Sequence, residues 1–368
     1  MKIHFKNPQS SPFQAELNLR VNDYFKSRGL TKKANASMVM KMVIIFGAFG
    51  LSYVLLLSNR LTEGQMFAMA VMMGFSQVLM AFNIGHDAAH GALFQSKKLN
   101  QIFSYTFNLI GISSYIWNIK HNLSHHHYTN VPGHDLDIEQ TKLARVTPDA
   151  PWKPFYRYQH LYLPFIYPFF SIFLIFVKDF LLFAKGTYGN QELKHPTKEY
   201  VILIASKIFY ITYSIVIPLI VIDLPWYKIA AGFVIMHMVL GSFIVLILFP
   251  GHLHEGAVFL TPDDKGNVNA CWVSHQVECT INTATNSKLV HWIAGGLNTH
   301  IAHHLYPKTC HIHYFELSKI IREVCEKYGV NYVDQGLFEG LASHFIFLKK
   351  MGMKPSSAET LSLTTLPA

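Results

Sequence analysis

The sequence predicts an all-α integral membrane fold, with four transmembrane helices in two hairpins, additional interfacial helices and a cytosolic helical cap. Hydrophobic residues make up 51% of the 368-residue chain and charged residues only 14%, whereas a soluble domain carries about 25% charged residues. Several apolar stretches are long enough to cross a bilayer at about 1.5 Å per residue. Three clusters among the 21 histidines lie just outside these stretches.

The basic charge fits a membrane protein better than a nucleic-acid-binding protein. The net charge is +9, and lysine and arginine collect in the cytoplasmic segments of membrane proteins, where they meet anionic lipid. We therefore expect membrane lipid as a partner and no nucleic acid. The four cysteines show no framework spacing and no CxxC pair, which predicts reduced thiols: Cys271, Cys279, Cys310 and Cys325.

Residues 1–37 are polar and are predicted to form a cytosolic N-terminal arm. Apolar residues recur in this arm at helical spacing, at Phe13, Leu17, Val21 and Tyr24. The pattern fits either a short amphipathic helix on the membrane surface or an arm packed on its own domain.

Residues 38–58 and 64–84 are predicted spans joined by a tight turn, and they return the chain to the cytosolic side. The next apolar segment, 101–119, is interrupted by polar residues and glycine. A full crossing there would separate the first two histidine clusters across the membrane. We therefore predict that 101–119 is an interfacial helix.

Three more apolar stretches follow, at about 161–183, 201–222 and 226–249. An even number of spans must separate the second and third histidine clusters if they share one site. We assign 161–183 to the interface because it contains Lys178 and Asp179, and buried charge in lipid costs at least a few kcal/mol. The other two stretches are predicted to form the second hairpin.

The membrane domain is predicted to cover residues 38–353, and a mixed polar region after residue 250 forms its cap. Residues 354–368 are rich in serine and threonine and are predicted to be a disordered tail. Both termini are expected on the cytosolic side of a multi-pass protein, in a bacterial inner membrane.

Nine histidines are candidate metal ligands. Residues four apart project from one face of a helix, and imidazole is the commonest metal ligand. The candidates come from HDAAH, HNLSHH, HIAHH and the position just after the last span: His86, His90, His121, His125, His126, His252, His300, His303 and His304. HDAAH lacks the glutamate of the HExxH zinc motif.

Nine imidazoles are too many for one ion, because a metal site of this kind takes about four ligands. The pattern predicts two metal ions, and imidazole alone leaves Fe, Zn and Cu open. Ligating imidazoles also need acceptors for their second N–H, and four nearby acidic residues could serve: Asp87, Asp135, Asp137 and Glu139. His237 lies inside a predicted span, where it is a candidate tunnel-lining or helix-bridging group, and a packing role is preferred for it. His127 is left unassigned.

These motifs resemble those of the membrane fatty acid desaturases. HDAAHGA is similar to the first histidine box of that family, WNIKHNLSHHHYTNVPGHDLDIE to the second and GGLNTHIAHHLYPKTCHIHY to the third. RYQHLYLPF and the spacing of Trp272, Gln276 and Thr280 are also typical of the family. The chain looks like the acyl-lipid, acyl-CoA or front-end branch, in which the position of His300 is often glutamine.

The resemblance implies that the nine histidines bind two iron ions and that O2 is the co-substrate. It implies removal of two hydrogens from adjacent carbons of a long-chain fatty acyl substrate, lipid-linked or carried by CoA, which leaves a cis double bond. No fused cytochrome b5 motif is present, so the expected electron donor is a separate ferredoxin or a cytochrome b5 with its reductase.

Two other functions stay open at the level of the sequence. Hydroxylation, ketolation or epoxidation on the same scaffold would use the same histidine spacing. A histidine-rich metal transporter is disfavoured because it would place histidines and carboxylates inside the spans. No catalytic residue beyond the metal ligands is predicted, and in particular no separate catalytic acid or base.

Overall fold

The computed structural model describes residues 3–5, 11–139, 141–188 and 191–355. Part of the predicted N-terminal arm and residues 356–368 of the predicted tail therefore lie outside the described residues. Extended structure in the described part consists of three two-stranded pairs. They are β1 (His4–Phe5) parallel to β4 (Asn267–Val268), β2 (Thr187–Tyr188) antiparallel to β3 (Gln191–Glu192), and β5 (Asn282–Thr283) parallel to β6 (Asp334–Gln335).

Helices form the rest of the regular structure. The α-helices are α1 (Pro12–Ser27), α2 (Ala36–Leu57), α3 (Glu63–Leu79), α4 (His86–Ala89), α5 (Lys97–Ser104), α6 (Thr106–Leu109), α7 (Ser114–Trp117), α8 (Gln159–Ile166), α9 (Phe170–Phe173), α10 (Asp179–Ala184), α11 (Thr197–Ile211), α12 (Ile217–Val221), α13 (Trp226–Leu248), α14 (Trp272–Glu278), α15 (Lys288–Ala294), α16 (His300–Leu305), α17 (Tyr314–Tyr328) and α18 (Leu337–Gly352). Turns of π-helix lie at Met80–Gly85, Asn118–His125, Leu174–Lys178 and Thr212–Val216, and 3₁₀ turns at Pro154–Tyr158, Tyr167–Phe169 and His311–His313.

Five helices in the described residues are long and apolar enough to cross a membrane. They are Ala36–Leu57, Glu63–Ala89, Pro154–Ala184, Thr197–Val221 and Trp226–Leu248. Four of them coincide with the four predicted spans. The fifth contains the stretch 161–183, which the sequence analysis assigned to the interface, so length and composition alone allow one more crossing than expected.

The turns of the two predicted hairpins touch each other. The Asn59 side chain donates to the carbonyl of Val221 at 2.7 Å and accepts from the backbone N–H of Asp223 at 2.9 Å. Lys228 and Glu63 form an exposed ion pair at 2.5 Å beside these turns. The first histidine cluster follows the opposite end of α3, and His252 follows the opposite end of α13. The bundle therefore has a turn end and a histidine end.

One of the two charged residues in the segment 161–183, Asp179, is neutralised inside the protein. Asp179 is buried and accepts from the Lys207 ammonium of α11 at 2.6 Å and from the backbone N–H of Ser113 at 2.8 Å. A paired and hydrogen-bonded carboxylate costs far less to bury than an isolated one. The cost of burying Asp179 is therefore lower than the sequence alone indicates, because its partner lies 28 residues further along the chain, and the interfacial position of 161–183 stays a prediction.

The predicted interfacial segment 101–119 is not one helix. It contains the end of α5, then α6 and α7, and the chain turns at Gly111 with a φ of +89°. A Cβ atom at Gly111 would lie 3.0 Å from the Tyr210 ring. Glycine is therefore required there both for the backbone conformation and for the close approach of α11.

The N-terminal helix α1 packs on the protein itself. Phe13, Leu17 and Val21 are buried in one cluster with Leu317 and Ile321 of α17. Of the two arrangements that the sequence left open, the described part of the arm adopts the one packed on its own domain.

The region after α13 contains the helices α14 to α18, among them α16 with the third histidine cluster. Its four cysteines are all free, as predicted, and three of them are buried: Cys279, Cys310 and Cys325. Two β pairs also tie this region together, since β4 joins it to the N-terminal strand β1 and β5 pairs with β6.

Candidate metal centre

The nine candidate histidines converge at one end of the helix bundle. Ring nitrogens of His86, His90, His121 and His303 lie within 4.8 Å of one another, and those of His125, His252, His300 and His304 form a second such group. His126 lies between the groups, within 4.8 Å of both His303 and His304. Residues from four distant parts of the chain thus meet in two adjacent sets of four imidazoles.

Local helix geometry decides which histidine joins which group. Residues Asn118–His125 form a π-helical turn, in which the backbone N–H of His126 donates to the carbonyl of His121 at 3.0 Å. The extra residue per turn rotates His126 onto the face of His121, and their Nε2 atoms lie 3.2 Å apart. The predicted spacing for this cluster was α-helical, and the π turn departs from it. A second π turn, Met80–Gly85, comes directly before His86, and such turns are frequent at functional sites.

Two glycines allow the third cluster to approach the first. Gly295 has a φ of +59° and ends α15, and a Cβ atom there would lie 2.4 Å from the carbonyl oxygen of Phe82. Gly296 has a φ of +74°. Both positions require glycine, which explains why GGLN precedes HIAHH.

The nitrogen positions fit metal ions. The Nε2 atom of His252 lies 3.0 Å from that of His125 and 2.6 Å from that of His300. Ligand nitrogens bound to one ion at about 2.0–2.1 Å come within roughly 3 Å of each other. Both ring nitrogens of His86 and of His303 are buried without a hydrogen-bond partner. Buried polar atoms need partners, and a cation at the first group, to which both rings belong, would supply one for each ring.

Burial keeps most of these rings in the neutral form that a metal requires. It lowers the pKa of His121, His126, His252, His303 and His304 well below the usual range. It also lowers the pKa of His300 to about 3. Burial acts in the same direction on His125, but the nearby Asp135 carboxylate outweighs it and raises the pKa of that ring.

Acceptors behind the rings orient them. His121 Nδ1 donates to Asp137 at 2.9 Å and His125 Nδ1 to Asp135 at 2.9 Å. These contacts leave Nε2 of each ring pointing into the site. The expected roles of Asp135 and Asp137 as acceptors therefore match the hydrogen bonds in the structure.

The other two acidic candidates contact different groups. Glu139 pairs with Lys185 at the surface, at 2.5 Å. Asp87 accepts from the Nδ1 and the backbone N–H of His311, at 2.8 and 3.0 Å. It lies 3.6 Å from Nδ1 of His86, too far for a good hydrogen bond.

Sequence reasoning did not assign two further acceptors. Gln276 accepts from Nδ1 of His304 at 2.9 Å, and the Leu297 carbonyl accepts from Nδ1 of His300 at 3.0 Å. The spacing of Trp272, Gln276 and Thr280 was the available signal for the first. A backbone carbonyl has no sequence signal.

Two histidines outside the candidate set, His127 and His237, contact other protein groups. His127 is exposed and its Nδ1 contacts the carbonyl of Asn122 at 2.8 Å. His237 is buried between helices, where its ring contacts the hydroxyls of Ser171 at 3.0 Å and Tyr210 at 2.9 Å. His237 thus bridges α9, α11 and α13, in agreement with the packing role preferred for it.

A mainly apolar cavity of about 100 Å³ ends at the histidines. Its walls come from the long helices and from the segment before the second cluster, and they include Phe82, Phe107, Trp117, Phe170, Leu174, Ile244 and Leu248. Five candidate ligands line its polar end: His86, His121, His125, His252 and His300. The cavity can hold an apolar chain next to both imidazole groups.

Comparison with known proteins places this architecture in a family. The family model for fatty acid desaturases matches residues 65–336, which contain all nine histidines. The chain belongs to the fatty acid desaturase family. It is therefore an oxidoreductase that desaturates fatty acyl chains, and the resemblance seen in the histidine motifs is confirmed.

Named relatives are similar over nearly the whole chain. The sn-1 linoleoyl-lipid 6-desaturase of Arthrospira platensis is 33% identical over 358 residues, covering 97% of each chain. The acyl-lipid (8-3)-desaturase of Physcomitrium patens is 29% identical over 363 residues, covering 95% of this chain and 74% of its own. The probable Delta(5) fatty acid desaturase C of Dictyostelium discoideum is 27% identical over 361 residues, covering 94% and 77%. All three are named as desaturases, which favours desaturation over hydroxylation and over metal transport.

Proposed function

We propose that this desaturase uses two iron ions, held by the nine histidines, and O2 to insert a cis double bond into an acyl chain of a membrane lipid. The observation that carries the proposal is the pair of four-imidazole groups at the polar end of an apolar cavity. One ion would be held by His86, His90, His121 and His303, and the other by His125, His252, His300 and His304. His126 would complete the first group from its position beside His121.

Bound iron would supply the oxidising power to remove hydrogen from an unactivated methylene, which no side chain can do. The protein's own contribution is position. The apolar walls hold the acyl chain, exclude water and present one pair of carbons to the centre. Asp135, Asp137 and Gln276 keep the ligating rings in one tautomer and one orientation.

Relatives support a lipid-linked substrate with a double bond inserted near the head of the chain. The Arthrospira relative is named for a linoleoyl chain at the sn-1 position of a lipid and for desaturation at carbon 6. The Dictyostelium relative is named for position 5. We infer an acyl-lipid substrate of the same general kind for this chain, and regioselectivity close to the carboxyl end.

Four crossings, with Pro154–Ala184 at the interface, remain our preferred topology. Both ends of that helix contact the same loop beside the metal centre, since Tyr162 donates to the carbonyl of Leu143 at 2.6 Å and Lys185 pairs with Glu139 at 2.5 Å. A straight crossing would carry the two ends to opposite faces.

The basic arm argues for a cytosolic metal face and cytosolic termini. Electrons would come from a separate ferredoxin or from a cytochrome b5 with its reductase. Expression of fusions with a reporter at each turn would test the sidedness, because the turns at residues 58–62 and 222–225 must then report the opposite side from the termini.

Fatty acid profiling tests the function directly. The chain is expressed in a host of known lipid composition, and its fatty acids are analysed by mass spectrometry. We expect products that have lost two hydrogens, with the new double bond near the carboxyl end. Products that have gained one oxygen would indicate hydroxylation and not desaturation. An unchanged profile, with a functional electron donor present, would contradict the proposal.

A further inference from the structure

The helix Pro154–Ala184 contains two adjacent charged residues that differ in their surroundings. Asp179 is neutralised by Lys207. The ammonium of Lys178 has a single long contact, 3.4 Å to the carbonyl of Leu136. Among the described residues, no carboxylate lies within 4.0 Å of it. Lys178 is therefore a cation without an ion-pair partner among the described residues, in the apolar part of this helix.

Lys178 lines the cavity that ends at the histidines. Two other charged residues share that wall, but Lys120 and Asp137 form an ion pair with each other. Asp137 is also engaged by His121. The charge that remains available to a molecule in the cavity is the Lys178 ammonium.

The side chain of Lys178 is less exposed to solvent than that of the nearby Lys185. Lys185, seven residues later, has a side chain 42% exposed and pairs with Glu139 at the surface. Long side chains near a membrane surface usually extend to solvent in this way. Lys178 instead is half-buried with its side chain against the cavity, and a buried ammonium is favourable only when an acceptor satisfies it.

We propose that Lys178 binds the oxygen atoms at the head end of the acyl substrate, either its ester carbonyl or a phosphate next to it. This inference rests on the proposed function, since it requires that the acyl chain occupies the cavity. Because Lys178 and five candidate ligands line one cavity of about 100 Å³, a head group held there leaves only a short piece of chain between itself and the metal centre. Lys178 would thus help to set which carbons react.

The first test measures lipid binding to metal-free protein, so that it does not depend on turnover. The probes are a dilinoleoyl phospholipid with ester links, its ether-linked analogue without carbonyls, and dilinoleoylglycerol without phosphate. We expect Lys178→Met to weaken binding of the ester phospholipid about tenfold, because hydrogen bonds from a charged group are among the stronger ones. Lys178→Arg should retain most of the affinity, and Lys185→Met, directly after the same helix and outside this cavity, should bind like the wild type.

The pattern across the probes identifies the bound oxygen. Loss of affinity for both ester lipids assigns the carbonyl, and loss for both phosphate-bearing lipids assigns the phosphate. Equal affinities of the wild type and Lys178→Met for all three probes would overturn the proposal. If the methionine variant does not fold, Lys178→Gln provides the same comparison with a polar side chain.

The second test is the position of the double bond in a host of known lipids. Lys178→Arg places the cation further from the backbone and should shift part of the product to a neighbouring carbon, while Lys185→Met should not. A wild type that makes no double bonds would contradict the proposed function. A wild type that desaturates normally beside a Lys178→Met variant with the same products and rates would contradict the role of Lys178 alone.

Discussion

His252 provides the sharpest test of the two-ion site, because the sequence marks it only as a lone histidine after a span. Its Nε2 lies 2.6 Å from that of His300 and 3.0 Å from that of His125. His252→Ala therefore removes one of the four nitrogens of the second group. Loss of a residue that only supports a ligand already costs about 10–100-fold in metal affinity. We expect loss of a ligand to exceed about 100-fold, or about 2.8 kcal/mol.

The assay is iron content per purified protein, together with the fatty acid profile of the expressing host. We expect the iron content of His252→Ala to fall toward one ion per chain and the new double bonds to disappear. His254→Ala is the matched control, since His254 is also buried and lies two residues away but belongs to neither imidazole group. Two retained irons and a wild-type lipid profile in His252→Ala would refute the ligand assignment.

Three further predictions follow from the contacts described above. Gln276→Leu removes the acceptor of His304 Nδ1. The iron affinity, measured by competition with a chelator, should fall about 10–100-fold. An unchanged affinity would show that the ring does not need this acceptor. Lys207→Met leaves Asp179 buried without its cation, which should destabilise the protein by about 3–5 kcal/mol. Thermal unfolding in detergent checks this, and the double variant with Asp179→Leu should recover most of the loss. Gly295→Ala places a Cβ 2.4 Å from a backbone carbonyl oxygen at a φ of +59°. It should lower the folded yield and the iron content together, and a stable, fully iron-loaded Gly295→Ala protein would contradict the packing argument.

Metal removal offers a check on the ligand set as a whole. His303 has two buried ring nitrogens without protein partners, so the iron-free protein carries unsatisfied polar atoms at its centre. Chelation should therefore lower the melting temperature, and added Fe²⁺ should restore it. A melting temperature that is independent of iron would argue against metal binding at these groups.

Much of the bundle could be predicted from the sequence because it depends on local properties. Apolar stretches of sufficient length predict helices suited to a bilayer, and four of the five candidate helices coincide with predicted spans. The fifth helix, Pro154–Ala184, was not predicted as a span because it contains charged residues. Asp179 looked unpaired, and its neutralising partner Lys207 lies on another helix. A distant ion pair leaves no local pattern in the sequence.

Histidine spacing by itself predicted eight of the nine candidate ligands, since imidazoles at helical intervals in three clusters predict a site for two ions, and His252 was added from its position after the last span. Only the tertiary structure decided how they divide. The π turn at Asn118–His125 rotates His126 onto the face of His121, and long-range packing brings His252 between His125 and His300. The tertiary structure also places Lys178, without an ion-pair partner among the described residues, in the wall of the cavity that ends at the histidines. Spacing is a property of one helix, whereas the grouping of ligands and the pairing of charges depend on segments that are far apart in the chain and meet only when it folds.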